Sequence, residues 1–250
     1  MQASDALKEY LEHDKCGVRE EYDESGHRFI AFAGRLPKVY PLLIGTGIHS
    51  LRSSLDTAIS TLVQGVSRKE SRTNFPFHQT EEGLRAEFKS GTTTCGGCKY
   101  ERVTKPRQKE ILQYIPELEE LIFEIFKPWE AGNYSLWALN KIDNIQKHRM
   151  LILAWTTTSV SFDYNTSEGV FARGCQWILH PGSDAIIAES NKRIIYARPP
   201  HVEFAPVFPR GIPFAGEPIF EVLTQFYKTT RSILETLYVR FQDHPAMAVF

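Results

Sequence analysis

Hydrophobic side chains recur at the three- and four-residue spacing of a helix in several long stretches of the chain. The clearest stretch covers residues 42–64, where the apolar side chains form one narrow stripe and predict a core helix. A shorter helix is predicted near residues 81–88, with Thr80 as its N-cap. The other predicted helices cover residues 4–12, 108–126 with a break at Pro116, 136–151 and 217–241.

Strands are predicted where the hydrophobic period falls toward two. A hairpin is expected from the runs at residues 18–21 and 27–32, because an Asp-Glu-Ser-Gly turn separates them. After Met150, β-branched and aromatic runs alternate with turn-forming residues. These runs predict an antiparallel sheet with strands at residues 151–160, 170–179, 186–188, 193–197 and 202–208.

Together these elements predict an α+β fold in a single domain over residues 1–250. Residues 1–150 are expected to form a mainly helical half, whose core resembles a helix bundle. Residues 151–250 are expected to add the antiparallel sheet and a long closing helix. The intervening stretch 65–107 is polar and rich in turn-forming residues, so it predicts a lid, an interface or further structure.

The chain has four cysteines, two of them in a Cys95-Gly-Gly-Cys98 sequence within that stretch. This spacing suits half of a zinc site or a redox pair, but no second pair of this kind is present. Cys16 and Cys175 could complete a four-sulfur site only if the fold brought them there. The simplest interpretation is a glycine-rich turn that contains thiols.

Composition narrows the classes of function. The 250 residues are 42% hydrophobic and 24% charged, as in ordinary globular proteins, and the formal net charge is −1. Total charge therefore gives no general attraction to nucleic acid or to anionic membranes. No apolar run is long enough to span a bilayer, and residues 1–14 do not resemble a signal peptide. We expect a cytoplasmic protein without a membrane partner.

The predicted helix at residues 136–151 carries polar side chains where apolar ones are expected. Asn140, Asp143 and Lys147 fall on the same face as its leucines, and Asp143 and Lys147 are spaced so that they can pair. An unpaired buried charge costs several kcal/mol. This face therefore needs partners on another helix.

The first long helix offers such partners, because His49, Arg52 and Asp56 run along one edge of its apolar stripe. If the two helices are antiparallel neighbours, charges of both signs meet where the dielectric is low and pKa values shift. The simplest interpretation is an ion-pair network that fixes the register of the helices. In it, the two acids pair with Arg52 or Lys147.

Two catalytic interpretations stand beside the network. A metal site would use four side chains: His49, Asp56, Asp143 and His148. Arg52 and Lys147 would repel a cation there, and the Glu-x-x-His pattern of two-metal bundles is absent, so we expect no metal and no cofactor. Metal-independent acid–base chemistry on RNA fits better, with a histidine at the ribose 2′-hydroxyl and Arg or Lys on the phosphate. The sequence shows no signature of a serine or cysteine nucleophile.

Two segments resemble a group of uncharacterised bacterial and phage proteins. The first is Gly45-Thr-Gly-Ile-His-Ser-Leu-Arg-Ser-Ser-Leu-Asp56, and the second is Leu139-Asn-Lys-Ile-Asp-Asn-Ile-Gln-Lys-His-Arg149. Their order and spacing match those of the group. The resemblance implies a shared architecture.

The second segment also resembles, more distantly, the Arg-Asn-x-x-x-His motif of HEPN proteins, helical RNases of toxin and antiphage systems. Asn144 and His148 match the motif, and Asp143 occupies the position of its arginine. The resemblance implies a homodimeric, metal-independent endoribonuclease of a defence or toxin type. In it His148 is the acid–base residue, Asn144 orients it, and Arg52 or Arg149 binds phosphate.

The alternative is a non-catalytic module that binds a protein or a ligand. Its polar helix faces are structural, and its contacts come from residues 65–107 or from the aromatic and proline-rich residues 199–218. Geometry separates the two hypotheses. The enzyme requires His148 to face a solvent cleft within reach of an arginine, whereas the module predicts polar side chains that are closed off and fully paired.

Overall fold

The structure of the protein is a computed structural model, which describes residues 16–24, 26–34, 39–67, 73–90, 107–148, 154–161, 164–165, 178–179, 184–190, 193, 195–196 and 201–243. Several predicted features lie outside these residues: the helix at 4–12, the cysteines Cys95, Cys98 and Cys175, most of the strand at 170–179, and Arg149.

The fold is α+β, as predicted, and the chain divides into two compact units. One unit combines Met1–Pro41 with Ile152–Phe220 and contains the strands. The other combines Leu42–Leu151 with Glu221–Phe250 and contains nearly all of the helical residues. The units are therefore not the two consecutive halves expected from the sequence. The N-terminal hairpin belongs with the later strands, and the closing helix belongs with the helical region.

The helical unit is built from elements close to those predicted. They are α1 (Val39–Ser67), α2 (Glu81–Ser90), α3 (Arg107–Tyr114), α4 (Leu118–Glu120) continuing as a π-helical turn (Leu121–Phe126), α5 (Tyr134–His148) and α6 (Ile219–Phe241). The break between α3 and α4 falls at Pro116, because a proline disfavours helical geometry in the residue before it.

Two side chains begin helices by capping them. The hydroxyl of Thr80 accepts the backbone N–H of Gly83 at 3.1 Å, which confirms the predicted N-cap of α2. The side-chain oxygen of Asn133 accepts the N–H of Leu136 at 3.1 Å and caps α5 in the same way. Helix α5 therefore begins at a defined residue, and this start determines which side chains share a face of the helix.

The strand unit holds short antiparallel sheets. Its strands are β1 (Cys16–Asp23), β2 (Gly26–Ala33), β3 (Ala154–Ser161), β4 (Tyr164–Asn165), β5 (Ile178–Leu179), β6 (Asp184–Ser190), β7 (Ile195–Tyr196) and β8 (His201–Val207). The orders are β1-β2-β6, β5-β3-β8 and β4-β7. The hairpin of β1 and β2 was predicted.

The predicted C-terminal antiparallel sheet is present as β5-β3-β8, but β6 is not part of it, because β6 pairs with β2 of the hairpin. Phe29 and Ala31 of β2 are buried, as is Ile187 of β6, so the shared sheet covers apolar side chains from both ends of the chain. Strand partners that are distant in sequence leave no local signal. The hydrophobic period predicted the strand but not its partner.

Helices α1 and α5 lie side by side and antiparallel. Three pairs of residues join them: Gly45 with Gln146, His49 with Asp143, and Arg52 with Asn140. Residue numbers rise along α1 as they fall along α5, which defines the direction. Around these pairs the helices bury Ile48 and Leu55 from α1 and Leu139 from α5.

The segment 73–90 lies against this core instead of forming an open loop. Phe75, Leu84 and Phe88 are buried. The backbone N–H of Phe75 donates to the carboxylate of Asp56 in α1 at 2.8 Å. This part of the stretch 65–107 is therefore an ordered part of the helical unit. Across the residues described, no helix is long and apolar enough to cross a membrane.

Two glycines of α1 provide a matched test of the α1–α5 contact. A Cβ at Gly45 would overlap the side-chain amide of Gln146, whereas a Cβ at Gly47 would meet no atom within 4 Å. Both Gly→Ala changes gain helix propensity of about 0.5–1 kcal/mol. We expect Gly47→Ala to raise the free energy of unfolding by that amount and Gly45→Ala to raise it less, because the Gln146 side chain must move to make room. Urea denaturation of both variants measures this, and equal stabilisation of the two would contradict the described contact.

Candidate functional site

The polar side chains predicted on two helices do meet along the α1–α5 contact. We call this set the seam, and its members are His49, Arg52 and Asp56 from α1 with Asn140, Asp143 and Lys147 from α5. They divide into two groups, one centred on Asp143 and the other on Arg52.

Asp143 is the centre of the first group. Its carboxylate is 1% exposed and touches one group with each oxygen. Oδ1 lies 3.0 Å from Nδ1 of His49, and Oδ2 lies 2.6 Å from Nζ of Lys147. The two partners are about half exposed, at 53% for His49 and 46% for Lys147. A buried acid therefore holds two groups that reach solvent.

This contact also decides the tautomer of the imidazole. A carboxylate accepts hydrogen bonds, so Nδ1 of His49 carries the ring proton and donates a hydrogen bond to Asp143. In the neutral ring Nε2 is then an acceptor. The hydroxyl of Ser53, one turn further along α1, lies 3.3 Å from Nε2.

Arg52 is the centre of the second group and is buried. Its Nε donates to the side-chain oxygen of Asn140 at 3.0 Å, and its Nη1 pairs with Asp56. The guanidinium carbon lies 4.6 Å above the centre of the Phe77 ring, which adds a cation–π contact. Asp56 in turn accepts the N–H of Phe75. This group is closed, and it ties segment 73–90 to both helices.

The remaining predicted site residues either make no contact with the seam or lie outside the residues that the structure describes. Asn144 is exposed on the flank of α5 and takes no part in the seam contacts. His148 ends α5, and its side chain lies outside the described residues, as does all of Arg149. The geometric test that depends on His148 therefore stays a prediction. Among the residues described, no cluster of three or more His, Cys, Asp or Glu side chains could hold a metal ion.

Two residues of the site, Ser53 and Phe77, were not predicted from the sequence. Ser53 follows His49 by four residues, a spacing that was visible in the sequence and predicts side-chain contact on a helix. Phe77 reaches the seam from a loop, and no local pattern indicates such a contact. The structure thus adds the Ser53 hydroxyl to the group centred on Asp143, which we call the open group because His49 and Lys147 reach solvent, and an aromatic ring to the closed group centred on Arg52.

A second buried acid, Glu87 of α2, lies outside the seam. The residue is 5% exposed, and burial raises its pKa to about 7. Its Oε2 has no hydrogen-bond partner among the described residues, and its Oε1 lies 3.9 Å from Nε2 of His78, too far for a hydrogen bond. In the sequence, Glu87 falls on the same helix face as Leu84 and beside Phe88, a pattern that indicates a buried acid.

Comparisons of the chain with protein-family models, curated proteins and solved structures find no match. The candidate site therefore rests on its own geometry.

The raised pKa of Glu87 predicts how stability depends on pH. Between the unfolded pKa of 4.5 and the folded value of about 7, the unfolded chain releases this proton and the folded chain keeps it, so stability falls as pH rises. Glu87→Gln removes this effect. We expect its free energy of unfolding to match the wild type near pH 4.5 and to exceed it by on the order of 2–3 kcal/mol above about pH 7.

Urea denaturation across this pH range measures the difference between the two proteins. Glu82→Gln is the control, since Glu82 lies on the same helix and is exposed. A difference between Glu87→Gln and wild type that does not change with pH would contradict the raised pKa.

Proposed function

We propose that the chain is a metal-independent endoribonuclease, acting in the cytoplasm, in which His49 is the acid–base residue. One observation carries the proposal: the buried carboxylate of Asp143 orients an imidazole that is half exposed to solvent. A fixed acid that sets the tautomer of an accessible histidine is typical of acid–base sites.

The proposed reaction needs a base at the ribose 2′-hydroxyl. Nε2 of His49 takes the hydroxyl proton, the oxygen bonds to the adjacent phosphorus, and the bond from phosphorus to the 5′-oxygen breaks. Protonated His49 then gives this proton to the leaving 5′-oxygen. The products are a 2′,3′-cyclic phosphate and a 5′-hydroxyl end, and the step balances without a metal ion. DNA lacks the hydroxyl and is not a substrate.

Lys147 is the proposed phosphate-binding residue. Its ammonium group pairs with Asp143 and is about half exposed, so it can contact a phosphate at the open end of the seam. Arg52, in contrast, is already held by Asn140, Asp56 and the Phe77 ring. We therefore assign Arg52 to holding α1 against α5, and Asp56 to holding Arg52 and segment 73–90 in place.

The resemblance to HEPN proteins supports RNA as the substrate class and adds a homodimer to the proposal. It also makes His148, oriented by Asn144, a second candidate for the acid–base residue, with Arg149 on phosphate. His148 directly follows Lys147 in the chain. Variants of the two histidines separate these assignments.

The second candidate function is a non-catalytic binding module. The closed group favours it, because the charges of Arg52 and Asp56 are paired within the seam and a structural network requires nothing more. The open group favours the enzyme, because a network alone has no need of a solvent-accessible imidazole.

RNA cleavage in excess chelator tests the proposal. A 5′-labelled single-stranded RNA is incubated with wild type, His49→Gln, His148→Ala, Lys147→Ala and the control Lys141→Ala, whose lysine is exposed on the same helix. We expect wild type to produce 2′,3′-cyclic phosphate ends. His49→Gln should cleave about 10²–10⁴-fold more slowly, since it removes the acid–base group. Lys147→Ala should cleave more slowly than Lys141→Ala.

Thermal melting of each variant shows whether it is folded. Loss of cleavage in His148→Ala, with cleavage retained in folded His49→Gln, would move the acid–base role to His148. A folded wild type that leaves RNA intact would reject the endoribonuclease and favour the binding module.

A further inference from the structure

Three side chains at the open end of the seam form a continuous line: the Ser53 hydroxyl, the His49 imidazole and the Asp143 carboxylate. We propose that Ser53 is a nucleophile that His49 activates, and that it accepts an acyl or phosphoryl group from an ester. This adds a covalent activity to the site, on a substrate class that need not be RNA.

The geometry is that of a nucleophile, a base and a group that orients the base. Ser53 Oγ lies 3.3 Å from Nε2 of His49, and Nδ1 of the same ring lies 3.0 Å from Asp143 Oδ1. The contact to the hydroxyl is slightly longer than an ideal hydrogen bond, as is common before substrate binds. The burial of Asp143 keeps the third group in place, and its position leaves Nε2 as the acceptor.

The neighbouring serines of α1 show that Ser53 is unusual. A helical serine commonly donates its hydroxyl to a backbone carbonyl of the preceding turn. Ser50 donates to the carbonyl of Thr46 at 2.9 Å, and Ser54 donates to that of Leu51 at 2.7 Å. The hydroxyl of Ser53 lies instead against the imidazole. The same helix therefore contains both a candidate nucleophile and two matched reference serines.

The surface of α1 beside Ser53 leaves room for a substrate. Three exposed and small residues lie there: Thr46, Ser50 and Thr57. No atom of the described residues lies within 4 Å of a Cβ placed on Gly47. Ser53 itself is partly exposed. Among the described residues, this face of α1 offers an ester exposed and small side chains beside Ser53.

The covalent step is a displacement at the electrophilic centre. Ser53 Oγ bonds to the carbonyl carbon or the phosphorus, the bond to the leaving group breaks, and the hydroxyl proton passes to Nε2 of His49. His49 then gives that proton to the leaving group. A water molecule, deprotonated by the same ring, releases the group from Ser53 and regenerates the hydroxyl.

A fluorophosphonate probe tests this step without knowledge of the natural substrate. Its phosphorus bonds to the serine oxygen, and fluoride leaves. Full-length wild type is incubated with the probe beside Ser53→Ala, His49→Gln, Asp143→Asn, Ser50→Ala and Ser54→Ala. Intact mass measures the rate of labelling, and peptide mapping locates the adduct.

We expect a single adduct on Ser53 in wild type, Ser50→Ala and Ser54→Ala, and none in Ser53→Ala. Labelling in His49→Gln should be about 10²-fold slower, because the base is removed. Asp143→Asn should also be slower, because its amide no longer fixes the tautomer. Each variant is compared with wild type by circular dichroism, and Ser53→Ala preserves the helix because alanine favours it.

Labelling of Ser53 no faster than that of Ser50 or Ser54 overturns the proposal. So does an unchanged rate in folded His49→Gln. The inference shares the His49–Asp143 pair with the proposed function, but the readouts are separate. If the protein cleaves RNA but is not labelled, only the proposal that Ser53 is a nucleophile is rejected. If it is labelled but does not cleave RNA, only the proposed endoribonuclease activity is rejected.

Discussion

The buried carboxylate of Asp143 is the constraint on which the candidate site depends. Removing a carboxylate from water costs several kcal/mol unless hydrogen bonds and opposite charge offset it. Here His49 and Lys147 provide this compensation, one at each oxygen. The requirement links α1 to α5 at a defined register and gives the imidazole a defined orientation. The burial of this one carboxylate thus accounts both for the contact between α1 and α5 and for the orientation of the imidazole on which the proposed chemistry depends.

The closed group of the seam gives this arrangement its rigidity. Arg52 joins α1 to α5 through Asn140 and lies on the Phe77 ring, while Asp56 holds the backbone of Phe75. These side chains resemble catalytic ones in type, but their contacts hold Arg52 against α5 and Asp56 against segment 73–90. The open group, one turn away along α1, keeps the exposed imidazole and ammonium. The ion pair of the closed group therefore has a structural role, whereas the ion pair of the open group leaves side chains exposed for the proposed chemistry.

Much of this organisation could be predicted from the sequence, because helical periodicity places residues on faces. The period placed His49, Arg52 and Asp56 beside one stripe and Asp143 on another, and the capping pattern located the start of α2 at Thr80. Periodicity carries no information about how far one helix slides along its neighbour. The pairing of Asp143 with His49 therefore followed only from the packing of the two helices.

Contacts between distant segments were the other limit. The pairing of β6 with β2 and the position of Phe77 over Arg52 join residues far apart in the chain, and their sequences show no local sign of it. The expected role of His148 depends on a side chain outside the described residues. The candidate site thus combines predicted residues with partners that only the fold supplies.

The orientation of His49 by Asp143 can be measured directly. Long-range ¹H–¹⁵N correlation spectra report which ring nitrogen of a neutral histidine carries the proton, and His49→Gln identifies the signals. In spectra of the neutral ring we expect the proton on Nδ1 and a bare Nε2. A His49 ring that carries its proton on Nε2 would contradict the account, because its Nδ1 would have no proton to donate to Asp143.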